Sequence, residues 1–225
     1  MRIFRVASVL AIAVALALAG CTTQVSGTAQ RDPAQPALVV SEDGFGITAG
    51  FDDAPTHIEI FTEPQCSHCA DLQTDFGDQF AYYISVGALK ITYRPLTFLD
   101  SGSGGYSANV SNALFNAADG DATGTQFQRF VQELYGHQQR TKGGPGPTDD
   151  EMAAMAKSAG MPDTVADRIA DGGSAIDVTE MEEANFGYLY GIDMIDTGTP
   201  TVYDPQNDQK IDIYDNDWLT KLMQA

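Results

Sequence analysis

Basic residues are scarce: 12 Lys and Arg stand against 31 Asp and Glu in 225 residues, a formal net charge of −19. A chain this acidic lacks the basic face that phosphate contacts need, so no nucleic acid is expected among its partners. It also disfavours a surface that clings to anionic lipid head groups. Cysteine is scarce too, at three residues, which excludes a disulfide-rich scaffold. No apolar run reaches the roughly 18 residues of a membrane span. Tryptophan occurs once, but 43% of the residues are hydrophobic. At this length that suffices for a self-standing core, in one large domain or two small ones.

The N-terminus reads as a leader. Arg2 and Arg5 form a short basic region, and Val6 to Ala19 is apolar apart from Ser8. This is the pattern of a secretory signal, too short for a span. It ends in Leu18-Ala19-Gly20-Cys21, which resembles the bacterial lipoprotein signal at all four positions. That resemblance implies cleavage after residue 20 and lipidation of Cys21, a firm anchor because each buried CH₂ contributes about 0.8 kcal/mol. Residues 21–37 are then a polar, Pro-containing tether. The folded domain is expected over 38–225, with Cys66 and Cys69 as its two cysteines.

Within it, Thr56 to Phe61 alternates at the strand period, Ile58 and Ile60 facing one way and His57, Glu59 and Phe61 the other. A helix fits Cys66 to Val86, with Leu72, Phe76, Phe80 and Tyr83 at helical spacing and Gly87 as its stop. Leu89 to Phe98 is a second strand, completing a β-α-β unit with a parallel pair. From about 103 to 192 no strand signal occurs. Glycines and prolines divide this stretch into helices near 106–118, 124–137, 149–159, 162–171 and 174–190. Thr148 and Glu151 form a capping box at the third. Strands at 200–203 and 210–214 and a helix capped by Asn216 close the chain.

Cys66-Ser67-His68-Cys69 falls where the first strand hands over to its helix. Unpaired N–H groups and the macrodipole stabilise an anion there, and a thiolate is the nucleophile of disulfide exchange. Cys69, one turn on, is placed to resolve a mixed disulfide. His68, when protonated, adds positive charge beside the thiolate. The better the reduced thiolate is stabilised, the more oxidising the disulfide. A half zinc site is the first rival reading. No second C-x-x-C exists, and His57 and His137 are far apart in sequence, so no metal is expected. A structural disulfide is the second; a two-residue spacing closes a loop too short to staple much.

Gly50-Phe51-Asp52-Asp53-Ala54-Pro55 before a strand, then Phe61-Thr62-Glu63-Pro64-Gln65-Cys66-Ser67-His68-Cys69, resembles the DsbA-like thioredoxin-fold family of bacterial envelope oxidoreductases. Gly198-Thr199-Pro200-Thr201-Val202 resembles that family's cis-proline loop, and the helical block resembles its insertion, including Phe130 to Leu134 and Ala156 to Gly160. The likeness spans about residues 48–224. It implies an α/β thioredoxin-like fold with a helical insertion between the β-α-β and β-β-α units. It further implies Cys66 as attacking cysteine, Cys69 as resolving cysteine, and a cis Thr199–Pro200 peptide that pairs with substrate backbone. Two departures stand out. Ile60 occupies the position of the family's buried acid, six residues before the first cysteine. Glu63, three before it, is read first as a surface residue, which leaves open which acid, if any, handles the resolving-thiol proton. Ser67 stands where oxidising members often carry proline.

The function expected is a membrane-anchored, extracytoplasmic thiol–disulfide oxidoreductase that needs no dissociable cofactor. Its partners would be cysteine-containing secreted or envelope proteins and a membrane redox protein that resets the site. Oxidation is the preferred direction, with reduction or isomerisation as the enzymatic rival. A non-catalytic lipoprotein scaffold is the rival of another class.

Overall fold

The computed structural model describes residues 34–100, 105–118, 120–138 and 144–224. The Leu18-to-Cys21 signal and the tether as far as residue 33 lie outside the described residues. The strands are β1 (Ala37–Val40), β2 (Ile47–Gly50), β3 (Thr56–Thr62), β4 (Leu89–Pro95), β5 (Thr201–Asp204) and β6 (Gln209–Ile211). The helices are α1 (Ser67–Ser85), α2 (Tyr106–Ala118), α3 (Gly124–Gly136), α4 (Asp149–Ser158), α5 (Asp163–Ala170), α6 (Val178–Ile192) and α7 (Trp218–Leu222). One sheet runs in the order β1-β2-β4-β3-β5-β6. β3 and β4 are its parallel pair, in register from Thr56 opposite Leu89 to Thr62 opposite Pro95, and the other neighbours are antiparallel.

The expected architecture is therefore present: a β-α-β unit, an insertion of helices, and a β-β-α unit. The β1–β2 hairpin was not expected. Its strands have four residues each, too few for a strand period to stand out. The turn between them is stabilised locally: the Gly46 N–H donates to Ser41 Oγ at 2.7 Å, and Gly44 takes φ +81°. Strand β4 stops at Pro95, sooner than expected, where the Leu96 N–H donates to the Thr62 carbonyl at 2.8 Å. The last helix is headed by Asp217 rather than Asn216, with no side-chain cap. Thr148 and Glu151 do form the capping box, and Thr123 with Gln126 forms a second at α3.

Helix α1 buries Leu72, Phe80 and Ile84 against the sheet and against α3, whose Phe127, Phe130 and Val131 are fully buried. Burying side chains of this size contributes about 1.5–3 kcal/mol each. Gly87 ends α1 in the left-handed region, φ +74°, with its N–H donating to Ile84 O and that of Ala88 to Tyr83 O. The insertion docks on the sheet through a second glycine. A Cβ on Gly124, the first residue of α3, would lie 2.8 Å from both the Ala37 carbonyl oxygen and the Gly50 nitrogen. On the other face, Arg94 donates to Asp43 at 2.7 Å and to Glu59 at 3.1 Å, and lies over the Tyr188 ring. Asn185 of α6 donates to Pro95 O and Phe45 O. Glu59 is thus occupied in seating α6 on the sheet.

Candidate active site

Strand β3 ends at Thr62, and Glu63-Pro64-Gln65 turns the chain so that Cys66 heads α1 in extended conformation, φ −74°, ψ 118°. One turn later Cys69 is buried with no exposed surface, whereas Cys66 is half-buried; both are free thiols. Thr199, 133 residues further along the chain, lies opposite: its carbonyl accepts from the Cys66 thiol at 3.2 Å. The Thr199–Pro200 peptide is cis. Clefts of about 350 and 610 Å³ lie on the two sides of Pro200 and share Ile213 and Tyr214. One runs along the Asp193–Thr199 loop and the other along α1 past His68, Asp71 and Asp75. An extended segment has room along these clefts beside Pro200, whose neighbour Thr199 meets Cys66.

The two thiols are unequal. Cys66 is pulled down to about 5, first by the hydrogen bond it receives from Cys69, then by the Thr199 hydroxyl and the backbone N–H groups of Cys69 and His68, all against the opposing effect of burial. Cys69 is pushed well up, first by burial and then by the Cys66 hydrogen bond and charge. Sequence reasoning sought the thiolate's support in the imidazole of His68. The structure places the imidazole 71% exposed and 3.7 Å from Asp71, so solvent and a carboxylate screen its charge. The contribution of His68 to Cys66 comes from its backbone N–H, as expected of a helix N-terminus.

Glu63 corrects an expectation. It is not on the surface: it has no exposed area. Ser107 Oγ donates to its Oε1, and the Gln65 N–H donates to its Oε2 at 2.6 Å. Burial pushes its carboxyl up to about 7. Ser107 and Gln65 partly oppose that rise, and the negative charges of Cys66 and Asp100 add to it. Ser107 and Gln65 also tie Glu63 to Asp100, which accepts from Gln65 Nε2 at 2.8 Å and from the Ser107 N–H at 2.8 Å. The acid is local in sequence, but nothing local marked it as buried. The cover is α2, from 44 residues away.

Residues 42–210 match a family model described as Thioredoxin (Thioredoxin_4). Among curated proteins, the chain is 28% identical over 186 residues to the serine/threonine-protein kinase PknE of Mycobacterium tuberculosis and of M. bovis. That alignment takes in 79% of this chain but 31% of the kinase, so the chain spans about a third of the length of the curated relatives it matches. Among solved structures, it is similar to MdbA, a thiol-disulfide oxidoreductase from Corynebacterium diphtheriae, with a TM-score of 0.68, 21% identity, and coverage of 86% of this chain and 96% of that one. MdbA from C. matruchotii gives 0.67 at 22% identity, with 83% and 91% covered. Reduced DsbA from M. tuberculosis gives 0.59 at 19%, with 80% and 91% covered. At these identities the structural likeness speaks for the fold, and together with the family match over most of the folded residues it establishes that the chain belongs to the thioredoxin family, with the helix-inserted fold of the DsbA type.

Proposed function

We propose that this chain is a thiol–disulfide oxidoreductase acting on cysteine-containing secreted or envelope proteins. One observation carries the reading: a half-buried, acid-shifted thiol at a helix N-terminus stands against a buried, base-shifted one, and a backbone carbonyl reaches the first at 3.2 Å. In the oxidising direction a client thiolate attacks Cys66 Sγ of the Cys66–Cys69 disulfide. That S–S bond breaks, and its electron pair leaves on Cys69, which takes up a proton. A second client thiolate attacks the client sulfur of the mixed disulfide, and Cys66 departs as thiolate. The client loses two electrons and gains a disulfide; the two active-site sulfurs gain those electrons. Cys66 is a good leaving group because its anion is stabilised. Thr199 and Pro200 hold the client segment, their backbone serving it as a sheet edge serves an added strand.

Titration of the Cys66–Cys69 couple against glutathione tests the direction. The potential is expected on the oxidising side, above about −180 mV. A value below about −230 mV makes the protein a reductant, and a pair that never forms a disulfide removes the reading. The match to a segment of a kinase favours a second reading, a binding or sensing module on the same fold. Multiple-turnover oxidation of a reduced client separates the two.

The leader residues support an extracytoplasmic protein held on the membrane through lipidated Cys21 and reset by a membrane redox partner. Among the described residues no helix is long and apolar enough to cross a membrane. Cys21→Ser is expected to leave the chain without lipid and free of the membrane fraction. Mass spectrometry showing an unmodified N-terminus elsewhere in the wild type removes the anchor.

A further inference from the structure

The resolving sulfur sits in a pocket of its own. Thr62, the last residue of β3, and Tyr135, in the last turn of α3, are both buried, and their hydroxyls are hydrogen-bonded to each other. The Thr62 hydroxyl and the Glu63 backbone N–H both reach Cys69, the latter at 3.5 Å from its sulfur. Each hydroxyl carries one hydrogen. If Thr62 donated to Tyr135, the tyrosine hydrogen would have to go unused in a fully buried place, which is costly. If Tyr135 donates to Thr62, the Thr62 hydrogen is free for the Cys69 sulfur and both donors are used. The α3 end is also fixed to the same turn: Gln138 Nε2 donates to Pro64 O at 2.8 Å and Cys66 O at 2.9 Å.

We propose that Thr62 and Tyr135 form, with the Glu63 N–H, a thiolate hole that stabilises Cys69 as it leaves in the first exchange step. Thr62 is a catalytic residue because its hydroxyl meets the departing sulfur. Tyr135 is a positioning residue that orders the Thr62 hydrogen. The inference rests on the exchange chemistry proposed above. Attack at Cys66 Sγ breaks the bond to Cys69 and places a full negative charge where no water reaches. The rate of exchange depends on how well the leaving sulfur bears that charge. Donors fixed in place before the charge arrives need no reorganisation, and a chain of two hydroxyls polarises along its length. The hole also assigns a task to the insertion: its helix α3 supplies a group that the β-α-β unit does not contain.

Stopped-flow reduction of the disulfide form by reduced glutathione tests this, in wild type and in Thr62→Val, Thr62→Ser and Tyr135→Phe. Thr62→Val removes the hydroxyl at nearly constant volume and is expected to slow attack by roughly ten- to a hundredfold, the effect of one hydrogen bond to a charged group. Tyr135→Phe keeps the ring and should slow it by about three- to tenfold. Thr62→Ser should recover most of the wild-type rate. The ultraviolet titration of the Cys66 thiolate should stay nearly where it is in all three, which a general loosening of the site would not allow. Wild-type rates in Thr62→Val and Tyr135→Phe overturn the hole, as does a Thr62→Ser protein as slow as Thr62→Val. Client oxidation is not the readout. A wild type that exchanges with glutathione but oxidises no client loses the function proposed above without touching this comparison.

Discussion

Cys69→Ser is expected to accumulate disulfide-linked adducts with client proteins, and Cys66→Ser none. The half-buried Cys66 can still attack a client disulfide in the Cys69→Ser protein, because its anion keeps the Thr199 hydroxyl and the N–H groups of residues 68 and 69. What is lost is the internal attacker one turn away. Well-oriented intramolecular groups act at effective molarities of about 10⁵–10⁸ M, so an external thiol at millimolar concentration replaces Cys69 poorly. Resolution should slow by at least about 10³-fold. In Cys66→Ser the remaining thiol is buried and base-shifted; it neither meets a client nor ionises near neutral pH, and steady-state exchange should fall to background. Non-reducing gels after acid quench, followed by mass spectrometry of the linked cysteines, read both outcomes. Equal trapping by the two variants would falsify the order of roles.

Glu63→Gln is expected to change the pH dependence of stability strongly. The folded value is about 7 against an ordinary 4.5, so the folded state holds this proton more tightly than the unfolded one. For a carboxyl shifted upward, stability is greatest below about pH 4.5. It declines as pH rises toward about 7 and stays reduced above that. The decline is on the order of 3 kcal/mol. The amide carries no charge and can still accept from the Gln65 N–H. The variant should therefore match the wild type near pH 4.5 and exceed it increasingly up to pH 7 and beyond. Cys66 contributes a slope of the opposite sign: its stabilisation is full above about pH 9 and is lost as pH falls toward 5. The difference between variant and wild type, rather than either curve alone, isolates Glu63. The same substitution should leave the Cys66 thiolate titration nearly where it is, because near pH 5, where Cys66 ionises, Glu63 is still protonated and carries no charge to oppose that anion. Urea unfolding of reduced protein from pH 4 to 8, with ultraviolet titration of the thiolate, tests both. A pH-independent difference would show that Glu63 does not titrate in this range.

The site divides into a part legible in the chain and a part that is not. The Cys66-to-Cys69 motif at a strand-to-helix transition was readable because both periods, 2 before it and 3.6 after it, occur within 30 residues. The insertion helices were readable because glycines, prolines and capping residues delimit each of them. The β1–β2 hairpin escaped because four-residue strands carry too little pattern. Glu63 reads first as a surface residue because nothing local marks it as buried; Ser107, 44 residues away, covers it. His68 drew attention as the charged neighbour of Cys66, yet its ring turns to Asp71 and leaves the backbone N–H facing the thiol.

By itself the sequence determined the order of elements, the helix start that favours an anion at Cys66, and the strong net negative charge, because propensity, periodicity and composition act over short stretches of chain. The tertiary structure alone decided which groups meet the two sulfurs. Thr199 reaches Cys66 from 133 residues away, Tyr135 reaches Thr62 from 73, and Ser107 closes over Glu63 from 44. Acidity and hydrogen bonding at a thiol depend on burial and on contacts a few ångströms long, and only the folded chain creates either.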